Sequence, residues 1–558
     1  MQRNKFSFSS HPADIDIKRS KLNKNCSVKT SFNVGDLIPF YVDEVLPGET
    51  RQIKTSEVVR LQTLVTPVMD NIFMDIYYFY VPSRILWTHW REFMGENTTA
   101  PWIQTTTYTV PQITAPSGGW SVGTIADYFG IPTGVDGLSV NALPFRAYAM
   151  ICNEWFRDEN LTTPCNVPLS DATVTGSNGS TYVTDVVLGG KPFKAAKMHD
   201  YFTSCLRAPQ KGPDVTIPLG TTAGVYTSAN DYPFANFPRD ANNDAFPLRL
   251  KNTDNGGVVS NSDKDLYLSG LANKNGIATD STAHTVSGDA YALYPSNLYA
   301  DLTNATAASI NQLRLAFQVQ KFYERAARGG TRYREMLKAH FGVTSPDARM
   351  QIPEYLGGSR CNLNVNQVVQ NSESDSTPQG HVAAYSQTNH SHGDFIKSFT
   401  EHGYVLGLAV VRYDHTYQNG VERMWSRKSM FDFYFPEFAN IGEQSVLNKE
   451  IFAQGIAKDN ETFGYQEAWA EYRYKPSHVT GEMRSSYAAS LDSWHLADDY
   501  STLPSLSDSW IREDKSNVDR CLAVQSSVSN QCFADIYVQS AVTLPMPLYS
   551  VPGLMDHH

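Results

Sequence analysis

The sequence has no long apolar run. No stretch approaches the ~20 apolar residues of a membrane-spanning helix, so no membrane insertion is expected. Met1–Ser10 is polar and lacks the apolar centre of a secretory signal. The chain therefore reads as soluble and made in the cytoplasm. Cysteine is scarce and unpatterned: Cys26, Cys152, Cys165, Cys205, Cys361, Cys521 and Cys532 are odd in number and form no CxxC pair. That excludes a disulfide framework and a zinc ribbon, and predicts free thiols in a reducing compartment. Charge is thin, at 18% of residues, and the net charge is −11. Bulk attraction to nucleic acid is thereby excluded, and any such role must sit in local basic patches. No G-x-S-x-G elbow, Walker A loop, G-x-G-x-x-G turn or H-E-x-x-H helix is present. The expectation is a non-enzyme with no catalytic residues, no cofactor and no metal site. The nearest metal-like group is His390, His392 and Asp394, with His381 and His402, in a Ser-, Thr- and Gln-rich stretch that reads as a solvated loop. There is no internal repeat.

Aromatic residues, by contrast, reach 12%, a composition suited to shared surface. Ile72–Val81 is β-branched and aromatic, and both of its faces are largely apolar. This predicts a strand covered on both sides, by a second sheet and by a long loop or a neighbouring subunit. Pro82 ends it, and Ser83 is placed to cap a short helix carrying Trp87, Trp90 and Met94, stopped by Gly95. Pro144 opens a helix with Phe145, Tyr148, Ala149, Cys152 and Phe156 as its apolar stripe. Tyr404–Tyr413, the alternating Phe431, Phe433 and Phe435, and Phe533–Val542 read as strands. Strand-like segments at both ends of the chain, with helices and insertions between, predict a sandwich completed by distant pieces.

Charge is concentrated in a few places. Residues 1–31 form a basic arm (Arg3, Lys5, Lys18, Arg19, Lys21, Lys24) expected to be ordered only by a partner. A second patch holds Lys191, Lys194 and Lys197. Residues 214–300 are rich in Gly, Asn, Asp, Ser and Thr and read as a loop-rich insertion standing off the body. Ser309 and Gln312 have capping-box spacing at the start of a helix. Arg314, Lys321, Arg325 and Arg328 share one face of that helix, between two apolar sides. Gly329-Gly330 end it.

Several blocks carry a resemblance. They are Gly35-Asp36-Leu37-Ile38-Pro39-Phe40-Tyr41 through Pro47-Gly48, Met69-Asp70-Asn71 leading into Tyr78-Phe79-Tyr80-Val81-Pro82, and Leu143-Pro144-Phe145-Arg146-Ala147-Tyr148 with Asn153-Glu154-Trp155-Phe156-Arg157-Asp158. They continue with His199-Asp200-Tyr201-Phe202, Pro209-Gln210-Lys211-Gly212, Ala327-Arg328-Gly329-Gly330-Thr331-Arg332-Tyr333 and Pro353-Glu354-Tyr355-Leu356-Gly357-Gly358. In this order the chain resembles the major capsid proteins of microviruses, small icosahedral single-stranded DNA phages, and specifically the gokushovirus branch. The resemblance implies a mainly β fold, a viral jelly-roll β-barrel of two four-stranded antiparallel sheets with long helix- and loop-containing insertions. It implies a core over 32–213 and 301–558, and a T=1 shell enclosing a circular single-stranded DNA genome in a virion assembled in the bacterial cytoplasm. The implied partners are further copies of the chain, the genome, small DNA-binding and other virion proteins, and a host-surface receptor. The 214–300 insertion would be a threefold protrusion, with Tyr226, Tyr232, Phe234, Tyr267 and Tyr291 as attachment candidates. The arm, the lysine patch and the Arg314–Arg328 stripe would face DNA. The competing reading of the composition is a carbohydrate-binding or carbohydrate-active β-sandwich.

Overall fold

The long strands of the chain carry two different hydrophobic patterns, and each builds its own sheet. In the computed structural model, residues 17–97, 106–216, 310–375 and 378–549 are described, together with six short strands between 224 and 301. The chain divides into two units, residues 1–211 with 324–558, and residues 212–323.

In the first unit the long strands are β1 (Ser20–Asn23), β2 (Cys26–Phe32), β3 (Ile38–Val45), β4 (Thr50–Leu61), β5 (Ile72–Pro82), β6 (Glu354–Asn362), β7 (Thr388–Ser398), β8 (Gly403–Tyr413) and β9 (Cys532–Leu544). One sheet has the order β2–β9–β4–β7, with β1 also on β9; the other has the order β6–β5–β8–β3. Every pairing in both sheets is antiparallel. In β4 the residues Arg51, Ile53, Thr55, Glu57, Val59 and Leu61 are buried and their neighbours are wetter. β9 alternates in the same way from Cys532 to Leu544. This period-two pattern gives the first sheet one wet face. β5 and β8 are buried on almost every residue. The fold is mainly β, with antiparallel sheets and some helices, and is compatible with a jelly roll.

The inner faces meet over one core that joins Ile53, Val59, Phe395, Ile536 and Val538 to Met74, Ile76, Tyr78, Val405 and Val411. The outer face of the second sheet, with Phe79, Val81, Leu406, Leu408 and Val410, packs under helix α1 (Leu143–Ile151) and Trp87, Trp120 and Phe193. The two-sided cover expected for Ile72–Val81 is therefore present. It is supplied by the chain itself and needs no neighbouring subunit. α1 follows its predicted stripe, with Phe145, Tyr148 and Ala149 buried; Cys152, also buried, and the half-buried Phe156 lie in the π-helical turn Cys152–Phe156 that continues it.

Four expectations are corrected. Residues 20–23 and 26–31 of the expected arm lie in strands paired with β9, because their alternating polar residues face the wet side of the first sheet. Ser83 lies inside its helix with Pro82 at the N-cap, and the helix breaks at Trp87 before a second turn, Trp90–Phe93. Phe431–Phe435 is not a strand: Phe431 lies in the 3-10 turn Met430–Asp432, and Phe433 and Phe435 lie between it and the turn Pro436–Phe438, because Asp432 accepts from the Ser429 backbone and Pro436 cannot continue a ladder. The His390–Asp394 stretch is not a loop but part of β7, an edge strand paired with β4.

The described strands of the second unit form nested antiparallel pairs. Gly224–Thr227 pairs with Leu298–Asp301, Leu250–Asn252 with Leu293–Pro295, and Tyr267–Leu271 with Lys274–Ala278. It extends through Tyr323, beyond the boundary at 300 expected from composition. Tyr226 stands opposite Tyr299, and Tyr267 opposite Ala278. Tyr232, Phe234, Tyr291 and Ser309 lie outside the described residues.

Candidate assembly and genome-facing surfaces

Large apolar side chains remain uncovered in one continuous stretch of the first unit. Trp425, Met430, Phe431, Phe433, Tyr434, Phe435 and Ile441 are exposed, Trp425 at 73%. The backbone beneath them is pinned. The Arg427 guanidinium lies 4.3 Å from the Tyr472 ring centre and 5.3 Å from that of Phe433, and reaches Glu471 at 3.3 Å. Trp469 Nε1 donates to the Phe438 carbonyl at 2.9 Å. Asp432 accepts from the Ser429 and Lys428 amides, which hold its carboxyl below the usual range. A held loop that presents its aromatic rings outward has the make-up of an interface core. A second exposed apolar set follows on helices α2 (Ile310–Gly329) and α3 (Tyr333–Phe341), with Leu315, Phe317, Phe322, Met336 and Phe341.

The expected DNA-facing cations fall into two groups. Lys18, Arg19, Lys21, Arg314, Lys321 and Arg325 are exposed. Others are engaged by the protein itself. Lys24 pairs with Asp43 at 2.5 Å, Lys194 with Asp36 at 3.0 Å, and Lys191 Nζ donates to the Val122 carbonyl at 3.0 Å. Arg328 donates to Glu443 at 2.7 Å and to Gln466 at 2.6 Å, so it leaves the stripe and ties α2 to the strand Glu443–Leu447. Lys197 is buried, 3.6 Å from Asp498 and 4.7 Å from the centre of the Trp510 ring. Its charge is neutralised inside the fold, which removes it from the genome-facing set. Arg3 and Lys5 lie outside the described residues.

Lys197 belongs to a buried charge network that the sequence did not disclose. His415 Nδ1 lies 3.1 Å from Asp498, and its Nε2 lies 2.9 Å from Glu513. Burial works against a charge on this imidazole, but Asp498 and Glu513 outweigh it and hold its pKa at about 9. Burial likewise opposes the charge on Asp498, and His415 with Lys197 pulls its carboxyl far below the ordinary range.

A cleft of about 720 Å³ on the first unit combines rings with guanidiniums. Phe79 stacks obliquely with Trp155 and Tyr355, each at 5.5 Å between ring centres. Arg334 lies 4.3 Å from the centre of the Trp155 ring. Arg360 and Arg412 grip Asp75 at 2.5 and 2.6 Å and, against the effect of its burial, keep its carboxyl ionised. Sequence reading missed this cleft because its walls come from β5, residues 154–160, residues 332–335, β6 and β8, which meet only in the fold.

Among the described residues no helix is long and apolar enough to cross a membrane. The family described as Capsid protein (F protein) matches residues 10–554. Capsid protein VP1 of Spiroplasma virus 4 is 46% identical over 543 residues, 96% of each chain. Capsid protein VP1 of Bdellovibrio phage phiMH2K is 41% identical over 559 residues, 99% of this chain and 98% of that one. Capsid protein VP1 of Chlamydia phage 1 is 40% identical over 580 residues, 96% of each. These relatives are structural proteins, and the resemblance carried by the sequence blocks holds over essentially the full length of both partners. The chain belongs to the Capsid protein (F protein) family and is a major capsid protein of the microvirus type, a virion component that self-assembles and not an enzyme.

Proposed function

We propose that the chain forms a T=1 icosahedral shell of sixty copies around a circular single-stranded DNA genome, assembled in the bacterial cytoplasm. The observation that carries this reading is the full-length likeness to phage capsid proteins. The strand order supports it: counting the eight long strands from β2 to β9, one sheet runs 1-8-3-6 and the other 2-7-4-5. That order fits the double Greek key expected of a viral jelly-roll barrel. The exposed aromatic loop at 421–441 and the apolar sides of α2 and α3 supply area for copies to cover.

Lys18, Arg19, Lys21, Arg314, Lys321 and Arg325, with Arg3 and Lys5, are the cations we assign to the genome. Such contacts neutralise phosphate without reading sequence and weaken with salt. Small DNA-binding and other virion proteins complete the particle. The insertion, with Tyr226, Tyr232, Phe234, Tyr267 and Tyr291, is the host-attachment protrusion. Electron microscopy of the expressed chain, with nuclease protection of the enclosed DNA, tests the reading. Icosahedral particles holding protected single strands support it, and a dispersed monomer would overturn it.

A further inference from the structure

We propose that Glu57, Cys361 and His390 bind a thiophilic divalent cation, zinc by preference, which staples the two sheets together at their β6/β7 edge. Glu57 is on β4 and His390 on β7, opposite each other in the first sheet; Cys361 comes from β6, the edge of the second sheet. One donor atom from each of the three lies within 4.8 Å of the other two. No other group of this kind occurs among the described residues.

The inward direction of these side chains follows from register. Glu57 stands opposite Ile536, and Cys361 opposite Met74, both of which belong to the core between the sheets. A carboxylate here needs partners. His390 Nδ1, 2.6 Å from Oε1, satisfies one oxygen. The other, Oε2, is buried and has no hydrogen-bond partner, on a residue only 2% exposed. Buried polar atoms are normally paired, so an orphan oxygen beside a thiol and an imidazole marks a place for a cation. His390 accounts for Oε1, and the Cys361 thiol lies against the same carboxylate, so all three donor groups converge on one point.

The donor set selects the ion. Thiolate, imidazole and carboxylate suit zinc and its neighbours, whereas calcium and magnesium take oxygen ligands. On binding, the Cys361 thiol releases its proton to solvent and the sulfur forms the bond to the metal. The two anionic ligands then balance the double positive charge, so the site carries no net charge into the apolar sandwich. His390 retains 29% side-chain exposure, which leaves room for water at the fourth position. Asp394 Oδ1, a second buried oxygen without a hydrogen-bond partner, lies further along β7, with His392 Nδ1 at 3.7 Å.

The test is cobalt substitution in the full-length protein after treatment with chelator. The expected result is a thiolate-to-cobalt charge-transfer absorption that saturates at one cobalt per chain and is displaced by zinc. C361S should abolish the band, C26S should keep it, and H390Q should weaken metal affinity at least about tenfold, the lower end of the cost of disturbing even an outer-shell partner. No band in the wild-type protein, or a band that survives C361S, would overturn the proposal. If C361S does not fold, H390Q decides: undiminished affinity in that variant contradicts the site as drawn.

Discussion

At the scale of the residue, the fold depends on charges that have been taken out of water together. His415 is the clearest case. Its pKa in the folded chain, about 9, lies above its ordinary value near 6.5. Its contribution is therefore complete below about pH 6.5 and is lost as the pH rises through about 9. Asp498 has the opposite sign: its contribution is present above the ordinary carboxylate range and disappears as the pH falls through its depressed value. Thermal unfolding followed against pH should show wild-type stability declining between about pH 6.5 and 9. H415Q should start about 3–5 kcal/mol lower, because Asp498 and Glu513 lose their buried partner, and should lack that alkaline decline. An equal decline in H415Q would contradict the assignment. Nothing in the sequence announced this network, since Lys197, His415, Asp498 and Glu513 are brought together only by tertiary structure. Read in isolation, Lys197 was one more surface cation.

At the scale of the element, helix α2 separates two jobs along one stripe. Arg314, Lys321 and Arg325 are exposed, while Arg328 is held by Glu443 and Gln466. Replacing the first three with Gln should reduce the slope of log affinity for single-stranded DNA against log salt by about 2, at roughly 0.7 per lost phosphate contact. R328Q should leave that slope unchanged and lower stability by about 1–3 kcal/mol, because Glu443 is left unpaired. A salt-titrated binding series and a denaturant melt read the two effects separately.

Elements were legible in the sequence wherever periodicity and burial agree: β5, β8, β9 and α1 stand close to where their apolar patterns place them. Where they disagree, tertiary context decided. β7 looked like a loop because its outward residues, among them Asn389 and Ser391, are polar, and its pairing to β4 cannot be seen locally. Phe431, Phe433 and Phe435 alternate as a strand would, yet among the described residues no partner strand pairs with them, and their rings are left exposed.

At the scale of the whole molecule, the apolar surplus is not where the strands alone suggested. Both faces of β5 are covered by the chain itself, one by the first sheet and the other by α1 with its neighbouring loops. The uncovered grease is on the turns at 421–441 and on α2 and α3. Replacing Trp425, Phe431 and Phe433 with Ser should therefore leave the monomer folded and abolish assembly, as read by circular dichroism and sedimentation. Loss of the folded monomer would assign these rings to the core instead. The second unit should be separable in the same sense. Deleting most of 220–295 should leave particles that assemble but attach poorly to host cells, and normal attachment would remove the insertion from that role.

The most direct test of the account is the mass in solution of the full-length chain expressed with circular single-stranded DNA, measured by light scattering. A shell of sixty copies of a 62.2 kDa chain predicts about 3.7 MDa before the genome is counted. A stable species of 62.2 kDa under the same conditions would contradict the claim that copies of this chain cover its exposed aromatic surface.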